Sequence, residues 1–385
     1  MIELNILFRY LFFIVMLLPL MIFGLYGVII LYYSNKNYKL RINDDLEFFP
    51  FVSVVIPTHN EEYIISKKIE NIFNSKYPEN KLELIFVDDS TDHTAEIIEE
   101  YGKNRANIHL IKSPERMGYS PSMLKGCRSA QGEILILTDA HSFFDDLTIY
   151  NLIQNFKDPE IGAVSSRSII LNPEDEVAKS EGLYMTLYNK MRIAETIMYS
   201  TFWFKGEASA VRRDIVKDID ECSASFDTTV AIFSRKMGYK TIFDPNVKFY
   251  EYAPVSGRDR VKQKTIRAAN ILKILFFFRD MLFNKEFGKF GSVILPFNYG
   301  MLVITPLSLL MGLMLLGILT ILDFTFSIYI WASIFILFFF LTIVYKPLVI
   351  TFVDFTYSLL KALYQMYFTK IEHDKVEKIM STRRT

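Results

Sequence analysis

Apolar residues gather in long runs near both ends of this chain, while the middle alternates short apolar bursts with charged helical stretches. From Ile6 to Tyr33 the only ionisable side chain besides tyrosines is Arg9, and the stretch exceeds the ~20 residues that span a bilayer. It reads as a retained transmembrane helix. A cleaved signal would have a basic start, a shorter apolar core and small residues before the cleavage point, none of which precedes Asn35. Val293 to Leu322 and Ser327 to Tyr345 are two more such runs, joined around Asp323, and read as a transmembrane hairpin.

The middle follows a different rhythm. FVSVVIP (Phe51 to Pro57) is a continuous apolar run stopped by proline, and EEYIISKKIENIF after it carries apolar residues at helical spacing. LELIFVDD then feeds a helix from about Thr94 to Tyr101. IHLIK feeds another that starts at Ser120 and Pro121, an N-cap followed by a first-turn proline. EILILTD comes next. Repeated βα units with fully apolar strands predict an α/β fold, a mostly parallel central sheet covered by helices on both faces. Ligands bind such sheets beyond the carboxyl ends of the strands.

Charge sets the orientation. Lys36, Lys39 and Arg41 follow the first helix, Lys285 and Lys289 precede the second, Lys346 follows the third, and the Asp323 connection holds no basic residue. The positive-inside rule then places the central domain and the C-terminal tail in the cytoplasm and the N-terminus outside, a three-span protein of the cell membrane. A fourth span from Pro347 to Phe368 would bury Asp354 and Lys361 and export Lys370, Lys375, Lys378, Arg383 and Arg384, so this stretch reads as an interfacial amphipathic helix. The expected organisation is an N-terminal membrane helix (1–35), a cytoplasmic catalytic domain (43–258), amphipathic interfacial helices (259–290), the hairpin (293–345), and an interfacial helix with a basic tail (347–385). The 43 basic residues equal the 43 acidic ones, which gives no support to a nucleic-acid partner. Cys127 and Cys222 are too few for a disulfide framework.

The candidate chemistry lies where strands end on acids. LELIFVDDS stops at Asp88 and Asp89, and EILILTDAH stops at Asp139 and His141. Asp139 and His141 are two positions apart, so an extended segment points both the same way. Carboxylate plus imidazole can ligate a divalent ion, with diphosphate oxygens completing its shell.

The ordered set PTHNEE, VDDSTD, TDAH, GEASAVRR and SFDTTVAIFSRKMGYKTIFDPNV resembles the family 2 glycosyltransferases of GT-A (nucleotide-diphospho-sugar transferase) fold, particularly membrane-bound, polysaccharide-synthase-like members. The resemblance covers about Phe51 to Asn270. It implies that Pro57, Thr58, Asn60 and Glu61 cradle the nucleotide base, that Asp88 and Asp89 contact the nucleoside, and that Asp139 and His141 occupy the metal-binding DxD motif with histidine in the last place. Gly206, Glu207 and Ala208 would line the loop beneath sugar and acceptor, and Asp227 would be the general base. An inverting transfer needs such a carboxylate opposite the leaving diphosphate. The expected cofactor is Mn²⁺ or Mg²⁺. The expected partners are a nucleotide-diphosphate sugar, a UDP-sugar first, a lipid-linked or glycan acceptor, and the bilayer.

Departures from the family pattern matter. In place of N-x-G-K stand Arg116, Met117, Gly118 and Tyr119, leaving Arg116 or Lys125 as phosphate-side cations. In place of Q-x-x-R-W stands RVKQKTIRAANILKILFFF without tryptophan, where Arg260, Lys264 or Arg267 would either touch the diphosphate or rest on anionic headgroups. Trp203 and Phe204 would stack on a sugar or pack beneath the loop, and His59 reads as a loop residue near the base. The expectation is a single-transfer membrane enzyme. A processive polysaccharide synthase and a non-catalytic nucleotide-sugar-binding scaffold are the alternatives.

Overall fold

The computed structural model describes residues 2–36, 48–172, 174, 176–219, 225–252 and 257–368. Lys39, Arg41, Cys222 and the basic tail from Lys370 onward lie outside these residues. Helix α1 (Ile2–Ser34) is followed by β1 (Val52–Thr58), α2 (Ile65–Phe73), β2 (Leu82–Asp88), α3 (Thr94–Asn104), β3 (Ile108–Lys112), α4 (Tyr119–Ser129) and β4 (Ile134–Leu137). Then come β5 (Phe143–Phe144), α5 (Thr148–Gln154), β6 (Ile161–Ile170), α6 (Glu176–Met198), β7 (Ser209–Arg212), α7 (Arg213–Val216), α8 (Phe226–Lys236) and β8 (Lys240–Glu251). The chain closes with α9 (Gly257–Phe277), α10 (Leu295–Tyr299), α11 (Thr305–Leu322) and α12 (Phe324–Phe368).

The eight strands among the described residues form one sheet in the order β3-β2-β1-β4-β7-β6-β8-β5. Every residue of β2 and β4 is buried, as strands covered on both faces must be. The sheet is mixed, and this corrects the mostly parallel sheet expected from the sequence. Strands β1 to β4 pair in parallel, but β7 runs antiparallel to both β4 and β6, and β5 antiparallel to β8. The parallel reading rested on βα units, and those stop at β4. The reversal has a consequence: Ser209, which opens β7, pairs with Leu137, which closes β4. The segment before β7 is thereby delivered to the rim where β4 ends.

Three helices among the described residues have the length and composition to cross a membrane, covering Glu3–Ser34, Phe290–Leu322 and Phe324–Met366. Helices α1 and α11 pack through Phe12, Val15, Leu315, Leu316 and Leu319, and Asp323 beyond α11 pairs with Arg9 and accepts from the Asn5 amide at 2.9 Å. Helix α12 is broken at Tyr345 (φ −154°, ψ 71°), just ahead of Pro347, which lacks an N–H and disfavours helical backbone before it. Its second half packs on α9 through Leu359, Ala362, Leu363 and Leu272. A buried polar knot joins α1, α6 and α10. There Tyr26 donates to Glu195 at 2.5 Å, Glu195 pairs with Arg192 at 2.9 Å, and the Asn298 amide reaches Glu195 at 2.7 Å. Arg192 and Glu195 are fully buried, so their mutual pairing is what makes burial of either charge tolerable.

Candidate active site

The rim beyond β1, β2 and β4 gathers the acidic strand ends. Asp88 is buried and accepts from Thr58 Oγ1 at 2.7 Å and Ser90 Oγ at 2.6 Å, which fastens the end of β2 to the end of β1. Asp89 accepts from the Met117 N–H at 2.7 Å and meets His59 Nδ1 at 2.8 Å. It thus ties the loop after β1 to the loop before α4, and it gives His59 a definite partner. Asn60 adopts a left-handed conformation (φ 59°), and its side-chain oxygen accepts from the Thr91 N–H at 2.9 Å. An asparagine suits that position because its short amide tolerates positive φ and bonds locally. Pro57 lies within β1 and Arg116 is exposed in the loop beside Met117, while Lys125 is half-buried on α4.

After β4 the chain turns through Thr138 to Ser142. Asp139 Oδ2 and His141 Nε2 stand 3.2 Å apart, and Glu61 Oε1 is 3.9 Å from the other ring nitrogen. The Glu61 and Asp139 carboxylates push the imidazolium pKa up to about 9. The His141 side chain is 61% exposed and that of Asp139 16%, so the pair opens toward solvent while the Ser142 hydroxyl bonds Asp139 from behind. Beneath this turn lies Lys68, fully buried on α2. Its ammonium donates to Thr138 Oγ1 at 3.0 Å and to the Ser142 carbonyl at 2.5 Å, and sits over the Phe144 ring. Burial lowers the Lys68 pKa to about 7, with Asp139 acting in the opposite direction.

The reversed strand β7 brings in residues 206–208. The Glu207 carbonyl accepts from Thr138 Oγ1 at 2.6 Å and Ser142 Oγ at 3.0 Å, locking this loop to the Asp139 turn. Ala208 is buried and its carbonyl accepts from the Ser166 hydroxyl. Gly206 faces Asp227 and Tyr119: a Cβ added to it would stand 2.5 Å from the tyrosine hydroxyl and 3.6 Å from Asp227 Cγ. Asp227 lies in the first turn of α8, and Ser225 Oγ reaches its Oδ1 at 2.5 Å instead of capping the helix. Burial raises the Asp227 pKa, while Ser225 and the Thr228 N–H offset part of the rise.

The basic segment on α9 divides. Arg267 reaches Glu207 at 3.2 Å and so belongs to this site. Arg260 pairs with Glu181 at 3.1 Å and with Asp354 of α12 at 2.7 Å, and Lys264 pairs with Glu181 at 3.1 Å. Those two join α9 to α6 and α12 and are not drawn to the Asp139 turn. Phe204 is core, and Trp203 packs edge-on to Tyr188 while its carbonyl accepts from the Tyr188 hydroxyl at 2.6 Å. Two participants escaped the sequence reading. Lys68 follows the spacing of Ile65, Ile69 and Ile72, so a lysine on the apolar face of α2 was the available signal. Tyr119 carried none beyond its place after Gly118.

Asp139 and His141 stand side by side at the turn and, once an ion displaces the imidazolium proton, fit an open divalent site whose remaining ligands come from a substrate, because such ions at phosphate sites keep few protein ligands. Among the described residues no group of three or more His, Cys, Asp or Glu side chains forms a closed metal cage.

Comparison with known proteins gives this rim a context. Residues 53–220 match the family model described as Glycosyl transferase family 2. The probable glycosyltransferase YdaM of Bacillus subtilis is 28% identical over 242 residues, covering 58% of this chain and 55% of that protein, so the chain spans about half the relative's length. The poly-β-1,6-N-acetyl-D-glucosamine synthase of Staphylococcus aureus is 26% identical over 289 residues, covering 72% of this chain and 68% of the synthase. Among solved structures, the mannosyltransferase PcManGT of Pyrobaculum calidifontis, in complex with GDP-Man and Mn²⁺, superposes with a TM-score of 0.75 at 23% identity, covering 92% of this chain and 99% of that one. Residues 53–220 thus resemble a family 2 glycosyltransferase domain, and the chain shares a GT-A-like fold with a mixed sheet.

Proposed function

We propose that this chain moves one sugar from a nucleotide-diphosphate sugar to an acceptor presented at the membrane, with inversion at the anomeric carbon. The observation that carries the reading is the junction of two loops. The Asp139–His141 turn and the 206–208 loop share hydrogen bonds through Thr138 and Ser142, and Asp227 faces Gly206 from the other side. A donor with its diphosphate against the first pair would present its sugar to the second loop and its anomeric carbon toward Asp227.

In that arrangement the acceptor hydroxyl oxygen attacks C1 and its proton passes to Asp227. The bond from C1 to the diphosphate oxygen breaks as the new glycosidic bond forms, and nucleoside diphosphate leaves. Burial suits Asp227 to this, since a raised pKa makes a carboxylate a stronger base. Asp139 and His141 would hold a divalent ion, Mn²⁺ or Mg²⁺, which would supply charge neutralisation for the diphosphate. Pro57, Thr58, Asn60 and Glu61 would border the nucleoside, with Asp88 and Asp89 holding those loops in place beside it and Arg116 or Lys125 on the phosphate side. Lys36, Lys285, Lys289 and Lys346 border the apolar runs of the sequence, and the positive-inside rule applied to them would put the catalytic domain and C-terminus in the cytoplasm.

The test is release of nucleoside diphosphate by the purified full chain with UDP- and GDP-sugars, Mn²⁺ or Mg²⁺ and a membrane lipid extract, with products resolved by mass. A single added sugar supports the reading, and a ladder shifts it to a processive synthase. No release with any donor, together with donor binding that Asp139→Ala leaves unchanged, points to a scaffold.

A further inference from the structure

A narrow cleft separates the sheet domain from the membrane-side helices. It consists of two adjoining cavities that share Glu181, Lys264 and Arg267. One end is polar, adding Glu251, Gln263 and Arg260 to the shared residues. The other adds the aromatic faces of Tyr184 and Trp203 and then an apolar wall of Ile271, Leu302, Phe355 and Leu359. Arg267 connects the cleft to the candidate active site through its contact with Glu207. The order from the sheet outward is therefore reaction centre, charged rim, aromatic rings and hydrocarbon, the polarity profile of an amphiphile lying with its head toward Asp227.

The charges of the rim decide what kind of head fits. Each described cation there already faces a carboxylate: Arg260 meets Glu181 and Asp354, Lys264 meets Glu181, Arg267 meets Glu207, and Lys205 meets Glu251 at 2.6 Å. A phosphate entering this lattice would meet acids as readily as bases and would have to displace an internal partner to be held. An uncharged, hydroxyl-rich head carries no such penalty. Three hydrogen-bonding atoms in residues that line the two cavities lack a hydrogen-bond partner: Arg260 Nη2 and Ser358 Oγ, in residues only 2% exposed, and Lys264 Nζ, whose one carboxylate neighbour is Glu181. Buried groups of this kind call for a partner, and sugar hydroxyls both donate and accept. Tyr184 and Trp203 line the second cavity, each ring with a cation over one face, Lys264 over Tyr184 at 4.5 Å and Arg192 over Trp203 at 5.7 Å, so a pyranose would stack on the other face of each.

We propose that the acceptor is a neutral glycolipid, whose uncharged sugar head docks between Arg260, Tyr184 and Trp203 and whose chain follows the wall made by α9 and α12. This rests on the transferase reading above and names its acceptor class.

The experiment uses the full chain in phosphatidylcholine nanodiscs with its donor, offered in parallel a monohexosyl dioleoylglycerol, undecaprenyl phosphate and a free hexose. The expected result is a kcat/KM at least tenfold higher for the glycolipid than for either alternative. Nucleoside diphosphate release with undecaprenyl phosphate preferred, or with free hexose used equally well, overturns the inference and leaves the transferase reading intact. Absence of release under every condition removes both. As a second measurement, Ser358→Phe fills the cleft and should raise the glycolipid KM about tenfold, whereas Leu337→Phe on the exposed face of α12 should leave it at the wild-type value. An unchanged KM in S358F overturns the assignment to this cleft, and the acceptor comparison in the wild-type chain decides the class even if S358F does not fold.

Discussion

Asp227 and Gly206 face each other across the candidate site, with only 3.6 Å between the carboxyl carbon and the position a Cβ on Gly206 would take. The two residues come from different parts of the chain. Gly206 is placed by the antiparallel entry of β7 and Asp227 by the start of α8. A side chain at position 206 would stand against the Asp227 carboxyl, so its absence keeps that approach to Asp227 clear.

Gly206→Ala should therefore cost activity more than stability. The inserted methyl group meets the Tyr119 hydroxyl at 2.5 Å, and Tyr119 is a partly exposed side chain that can swing away. The expected loss of fold stability is below about 1 kcal/mol. Transfer should nevertheless fall at least tenfold because the methyl occupies the approach to Asp227. A melting curve and a rate measured on the same preparation separate the two effects.

Asp227→Asn should retain donor binding while transfer falls about 10²- to 10⁴-fold, the usual range for losing a general base. In the wild-type chain burial raises the Asp227 pKa, and the base must be ionised to act. The rate should thus drop as pH falls through a pKa above the ordinary carboxylate range near 4. Linkage gives the stability sign. A carboxyl whose pKa is higher folded than unfolded binds protons more tightly in the fold, so its contribution weakens as pH rises through that window. At neutral pH the asparagine variant should melt no lower than wild type, and a flat acid limb in the wild-type profile would remove Asp227 from the mechanism.

The sequence spoke most clearly where the chemistry is local. Continuous apolar strands from Val52 to Leu137 announced a covered sheet, and Asp139 and His141 do stand 3.2 Å apart, though a turn and not the expected extended segment brings them together. The break of α12 at Tyr345 sits at the proline that marks it. The direction of β7 left no trace, because its four residues, Ser209 to Arg212, suit either orientation. Partners of the basic α9 segment were equally hidden. Arg260 and Lys264 find Glu181 and Asp354 only when α6, α9 and α12 meet, and a list of charges does not say which will pair.

His141→Asp should preserve metal-dependent transfer, since a second carboxylate suits Mg²⁺ and Mn²⁺ at least as well as an imidazole does. His141→Ala should demand at least tenfold more metal for half-maximal rate. Chelator should abolish turnover in the wild type, and added Mn²⁺ should restore it. Undiminished turnover after exhaustive chelation would end the metal assignment for Asp139 and His141.

Lys68→Met tests the support beneath the Asp139 turn. The substitution keeps an unbranched side chain of similar length against Phe144 but removes the two hydrogen bonds that hold Thr138 and Ser142. Loss of such support behind a ligand commonly costs about 10- to 100-fold in affinity or activity, so half-maximal metal concentration should rise while the fold persists. Stability has its own signature. Burial depresses the Lys68 pKa from 10.5 to about 7, so between those values the unfolded chain holds more protons than the folded one and stability rises with pH. Below pH 7 both states are protonated and the contribution is flat. The wild type should therefore gain on Lys68→Met by about 2 kcal/mol between pH 7 and pH 9, read as a change in the difference of their melting temperatures. Parallel curves across that range would mean that Lys68 stays charged in the folded chain and that Asp139 compensates its burial in full.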